Sequence, residues 1–298
     1  MNDIKTPEHH NVLVPVDFSE TSKNAVFFAI EMAKLFNDEI TLLHVINDNF
    51  FSSIFTSGDH KDLVVDGVNK RMNELAGEVK KVWPEGVINT EVKTGKVFKV
   101  IQEVAEERNV DTIVMGTNGA SGIEQFIGST TSRMIRSSQV PVVVVKEKVV
   151  KPTFDRIVLP IDLTKESKQK VSWAVKFARV YNSEVHIIME VEKDDFLEKR
   201  VKANLNMVEG IMKREGVKYV SKLLDDRKYP DHIGKDTLQY ADEVNADLIM
   251  IMTQKEKGFS EVFLGSYAQQ LVNECSGVPV LCINPKAVSL SSGTDGFY

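Results

Sequence analysis

The chain repeats itself, and no other feature constrains its architecture as much. NVLVPVDFSETS from Asn11 returns as RIVLPIDLTKES from Arg156, which aligns Pro15 with Pro160 and Asp17 with Asp162. FNDEITLLHVI from Phe36 matches YNSEVHIIMEV from Tyr181, and NVDTIVM from Asn109 matches NADLIMI from Asn245. The match closes with IGS…VPVVVV against LGS…VPVLCI. Four blocks in one order make the chain a duplication, with a first unit expected over residues 1–150 and a second over 151–298.

Each half alternates strands with helices. Residues 11–16 are a short Val-rich run bounded by Asp and Ser, which predicts a buried strand. Ser19 or Thr21 is placed to cap the helix that follows, in which Ala25, Phe28, Ala29, Met32 and Ala33 recur at three- and four-residue steps. The same reasoning predicts strands over 40–46, 87–93, 112–115 and 140–145, and helices over 61–81, 97–107 and 130–136. The second half repeats this order over 156–283. Strands buried between helices imply a parallel sheet with right-handed crossovers, hence an α/β fold of two tandem five-stranded sandwiches. Residues 146–155, charged and containing Pro152, read as a linker, and the Ser- and Gly-rich tail after Pro285 reads as mobile.

Composition narrows the function. The net charge of −6 argues against nucleic acid as a partner, because a phosphate backbone demands a basic footprint. No apolar run approaches the roughly 18 residues that cross a bilayer. The polar start MNDIKTPEHH lacks a signal-peptide layout, so the expected compartment is the cytoplasm. Cys275 and Cys282 have no His or Cys neighbours and read as small buried apolar side chains rather than a metal set.

In an open parallel sheet, ligands bind beyond the carboxyl ends of the strands. Three segments of the first half fall there: Pro15-Val16-Asp17, His44-Val45-Ile46, and the run Met115-Gly116-Thr117-Asn118-Gly119. Gly128-Ser129-Thr130 then opens the last helix. Glycines let backbone N–H groups approach an anion, and a helix start adds unpaired donors and a positive dipole end. Asp17 is placed to accept hydrogen bonds from a ribose or adenine. The plainer alternative is that Gly116 and Gly119 only shape a turn and Ser129 only caps a helix. No GxxxxGK[ST] loop is present, and the histidines show no ligand spacing.

VLVPVDFSETS, LLHVI and GTNGASG…GSTTSRMIRSSQVPVVVV resemble the universal stress proteins, over nearly the whole span from Asn11 to Pro285. The resemblance implies a Rossmann-like fold of the adenine nucleotide alpha hydrolase-like kind, and an adenine nucleotide as ligand: ATP or a relative, with or without Mg²⁺. It implies adenine and ribose at Asp17 and at the backbone of Val45, and phosphates at Gly116, Gly119, Gly128, Ser129 and Thr130. Pro15 and Val16 would shape the turn beside Asp17, and Met115 would lead into the glycines. The family pattern G-x2-G-x9-G-[ST] is departed from in one place: eight residues, ASGIEQFI, stand between Gly119 and Gly128. The second half departs further, with Met252 for Gly116, Lys255 for Gly119 and Glu190 for Val45.

These readings predict a regulatory protein holding one adenine nucleotide in its first half. A structural or interaction protein without nucleotide, and a weak ATPase, are the alternatives. The final runs VPVVVV and VPVLCI would expose apolar edges if left unpaired. Family members with one domain commonly dimerise through the last strand. The resemblance therefore predicts antiparallel pairing of these two strands within one chain, burying Val143, Val145, Leu281 and Ile283. A homodimer hiding both edges is the competing arrangement.

Overall fold

The computed structural model describes residues 11–34, 38–48, 59–117, 127–146, 153–163, 166–191, 195–225, 233–255, 262–263, 266–274 and 277–284. Gly119, residues 147–152 of the expected linker and the tail after Pro285 lie outside them.

The first half runs β1 (Asn11–Pro15), α1 (Glu20–Lys34), β2 (Glu39–Asn47), α2 (Asp59–Val82), β3 (Val87–Gly95), α3 (Val97–Glu107), β4 (Thr112–Gly116), α4 (Ser129–Ser137) and β5 (Val142–Val145). The second runs β6 (Arg156–Pro160), α5 (Glu166–Tyr181), β7 (Glu184–Val191), α6 (Asp195–Arg214), β8 (Lys218–Asp225), α7 (Ile233–Glu243) and β9 (Leu248–Met252). It ends with β10 (Gln254–Lys255), β11 (Val262–Phe263), α8 (Ser266–Glu274) and β12 (Val280–Ile283). The antiparallel ribbon β10–β11 is the one element without a forerunner in the sequence pattern. Two-residue strands carry no readable period. None of the described helices is long and apolar enough to cross a membrane.

Ten strands form one sheet in the order β3-β2-β1-β4-β5-β12-β9-β6-β7-β8. Within this sheet the strands of each half are parallel, and the halves join where β12 pairs antiparallel with β5, placing Leu281 opposite Val143. The expected pairing of the two last strands is therefore present within one chain. It also explains why these strands are apolar on both sides. Val143, Val145, Leu281 and Ile283 enter one core cluster, while Val142, Val144, Val280 and Cys282 enter the other. Helices α1, α2, α5 and α6 cover the first face, and α3, α4, α7 and α8 cover the second. All five positions expected to face the core from α1 are buried.

Two reciprocal contacts flank the junction. Lys146 Nζ donates to the Asn273 carbonyl of α8 at 3.1 Å, and Asn284 Nδ2 donates to the Ser138 carbonyl after α4 at 2.9 Å. Residues 153–155 are not the free tether that their composition suggests. Phe154 is fully buried and adopts a left-handed backbone, φ 55°. Its ring meets Phe28 of α1 edge-on at 5.5 Å, and Phe177 and Tyr181 of α5 at 5.5 and 4.5 Å. An aromatic wedge thus fills the seam between the halves.

Candidate functional site

β1 and β4 are neighbours, and the chain crosses to opposite sides of the sheet from them, so a crevice opens beyond their carboxyl ends. The turn after β1 is built from short polar bonds. Asp17 Oδ1 accepts from the Ser19 N–H at 3.0 Å and from its hydroxyl at 2.5 Å. Ser19 Oγ in turn accepts from the Ser22 N–H at 3.2 Å, which makes Ser19, not Thr21, the cap of α1. Between Asp17 and Ser19, Phe18 sits at φ 65°, an uncommon conformation for a bulky residue.

The far wall comes from α4. Its first residue follows Gly128, which provides no side-chain cap. The Gly128 N–H donates to the Thr117 carbonyl at 2.7 Å, and Thr131 Oγ1 donates to the Gly116 carbonyl at 2.9 Å. These bonds stitch the helix start back onto the end of β4. Among the described residues the N–H groups of the first helical turn have no capping side chain, which suits an anion.

A cavity of about 280 Å³ lies between these walls. Pro15, Val16, Asp17, Val45, Met115, Gly116, Gly128, Ser129 and Thr130 all line it. Every residue given a ligand role from the sequence is therefore at one place, except Gly119, which lies outside the described residues. Ser22, Leu43, His44, Val97, Ile101 and Thr131 line it as well. Thr131 follows directly on the Gly-Ser-Thr run and could have been read from it. Val97 and Ile101 sit one turn apart at the start of α3, where the sequence gives no hint of which helix start faces the crevice.

Gly116 has a packing role beside the open approach to an anion expected of it. A Cβ built on Gly116 would stand 2.7 Å from the Thr21 carbonyl carbon and 2.9 Å from the Ser22 nitrogen. Both are backbone atoms of α1. The missing side chain thus lets β4 approach the first turn of α1, and substitution there disturbs the packing as well as the cavity.

His44 is at the rim. Its Nδ1 lies 2.7 Å from the Val16 carbonyl, which can only accept, so Nδ1 carries the proton. Phe18 stacks on its ring at 4.8 Å, and the Arg71 guanidinium lies 4.2 Å above Phe18. Burial pulls the His44 pKa below 6.5; the Val16 carbonyl and Asp17 oppose this, and Arg71 adds to it. His44 is therefore expected to titrate below 6.5 and to be neutral at pH 7, with an imidazole NMR titration as the check. As pH falls below 6.5 the unfolded chain takes up this proton before the folded one, so His44 contributes a loss of stability on acidification. A midpoint above 6.5 would contradict the burial of the ring.

At aligned positions the second half carries different residues. Lys170, in register with Ala25, is buried, and desolvation lowers its pKa to about 8 against the opposing pull of Asp162. Tyr267, in register with Thr130, is only partly buried as a residue, yet its hydroxyl is desolvated and its pKa is pushed up. The Glu190 and Asp162 carboxylates push it further, and the hydroxyl lies 3.1 Å from Thr237 Oγ1. Among the described residues, no group of three or more His, Cys, Asp or Glu could hold a metal ion.

The chain matches the sequence profile of the Universal stress protein family twice, over residues 8–146 and 153–284. Among curated proteins it is similar to two universal stress proteins of Methanocaldococcus jannaschii. One is 34% identical over 142 residues, covering 47% of this chain and 83% of that protein. The other is 31% identical over 164 residues, covering 47% and 96%. Among solved structures, a universal stress protein from Archaeoglobus fulgidus superposes with a TM-score of 0.72 at 25% identity, covering 93% of this chain and 98% of that one.

Proposed function

The chain belongs to the universal stress protein family, and from that premise we propose that its first half binds one adenine nucleotide, ATP foremost, as the ligand of a regulatory protein. The observation that carries this reading is the cavity whose wall is an uncapped helix start. In it, the N–H groups and hydroxyls of Ser129 and Thr130 receive the phosphates, and Gly128 keeps the approach clear. At the other end Asp17 Oδ1 is engaged by Ser19, so Oδ2 is the oxygen that meets a ribose hydroxyl. The Val45 backbone serves the adenine edge. Pro15, Val16, Met115 and Gly116 form the remaining wall, and Gly119 follows in the sequence. At about 280 Å³ the cavity falls just below the roughly 300–1,000 Å³ of most ligand sites. Any Mg²⁺ is expected to be held through the phosphates.

Residues 1–150 are taken as the ligand-binding unit and 151–298 as a second unit in which Lys170, Glu190 and Tyr267 stand where the first has Ala25, Val45 and Thr130. Titration calorimetry is expected to give one ATP site per chain. In the Asp17→Ala variant, adenosine and ATP should weaken by the same factor, about tenfold, because a hydrogen bond at the nucleoside end is common to both. Two equivalent sites, or no heat at millimolar ATP, would sink the proposal. A loss confined to ATP would move Asp17 away from the nucleoside.

A further inference from the structure

The two N–H groups that lead into α4 are held by different halves of the chain. Gly128 donates to Thr117 of its own half, whereas the Ile127 N–H donates to Asn273 Oδ1 of α8 at 3.0 Å. Asn273 is itself gripped from the other side, since its carbonyl accepts from Lys146 Nζ. The second-half strand β11 also packs against α4. The counterpart of Asn273 in the repeat is Arg136, from the alignment of GSTTSRMIR with GSYAQQLVN. Arginine has donors only, and Arg136 Nε is directed at the Ser132 carbonyl of its own helix, 3.2 Å away. The brace therefore runs from the second half to the first and is not returned by Arg136.

We propose that Asn273 is a positioning residue for the ligand site of the first half. By fixing the Ile127 N–H it sets the turn at Gly128, and that turn aims the uncapped N–H groups of α4 into the cavity. The second half thus serves as a rigid brace for a site whose described lining comes from the first half alone. This role rests on the reading of the cavity as a nucleotide site, and it acts on the phosphate end alone.

The test compares wild type with Asn273→Leu, which keeps the bulk and removes the acceptor, and Asn273→Asp, which keeps the acceptor. ATP and adenosine affinities are measured for all three, with hydrogen exchange at the Ile127 amide. Asn273→Leu is expected to weaken ATP about tenfold, to leave adenosine within about twofold, and to speed Ile127 exchange, because a pre-aimed donor set is lost. Asn273→Asp is expected to restore Ile127 protection and most of the ATP affinity. Wild-type ATP affinity in Asn273→Leu overturns the positioning role alone, as does an equal loss for ATP and adenosine. A wild-type protein that binds neither ligand overturns the nucleotide reading, and this role with it.

Discussion

Replacing Phe154 by alanine is expected to lower the unfolding free energy by about 3–5 kcal/mol, the cost of removing a large aromatic side chain from a packed interior. The ring has no solvent exposure and sits among Phe28, Phe177 and Tyr181. Its removal leaves a void between α1 of one half and α5 of the other, which neither helix can fill without giving up its own packing on the sheet. The aromatic geometry is lost as well, worth about 0.5–1.5 kcal/mol per pair beyond burial. Urea unfolding followed by two probes, one in each half, measures both parts of the effect. The expected result is a lower midpoint with the two probes drawn apart, because the seam is where the halves share a core. A loss below about 1 kcal/mol would place the seam's stability in the β5–β12 junction instead.

The second large effect is expected at Lys170. Its pKa is lowered from 10.5 to about 8 by burial, so between those values the unfolded lysine holds a proton that the folded one has released. Stability is therefore expected to rise with pH through this window, by about 3 kcal/mol at the upper end relative to neutral pH. Lys170→Met removes the titrating group while keeping an unbranched chain in the same space. The variant should lose most of that rise and be at least as stable as wild type near pH 7, where wild type keeps a desolvated charge. Asp162, its electrostatic partner, is exposed and remains hydrated. Unfolding at pH 7 and pH 10 for both proteins gives the double difference. A parallel pH dependence in the two would mean that Lys170 reaches water.

Much of this was legible in the sequence, for a physical reason. A parallel strand buried on both faces must be a continuous apolar run, so NVLVP, TLLHVI and VPVVVV announce themselves, and a duplication doubles the signal. The ends of those runs also mark the crevice, which is why Asp17, Val45 and the Gly128-Ser129-Thr130 turn come together as expected. What escaped depends on direction. A glycine reads the same whether its open side faces a ligand or, as at Gly116, the backbone of α1. Phe154 stands in a charged stretch and adopts a left-handed conformation, so neither period nor propensity marks it as core. Lys170 lies in LTKESKQK, which resembles a solvated helix start, although its four-residue spacing to Ala174 and Ala178 would have put it on the buried face.

In a homodimer of identical chains, every contact across the twofold axis occurs twice, and any substitution is imposed on both sides at once. A favourable change at one site is then inseparable from its mirror image, whether or not the mirror position tolerates it. The β5–β12 junction places the same kind of twofold inside a single polypeptide and releases that constraint. Asn273 can face Ile127 while Arg136 is something else, and a buried lysine can stand at position 170 where the other half has Ala25. The covalent link also removes dissociation as a variable: the two sides meet at an effective concentration that dilution does not change. The contact between the two halves is therefore the same however little of the protein is present.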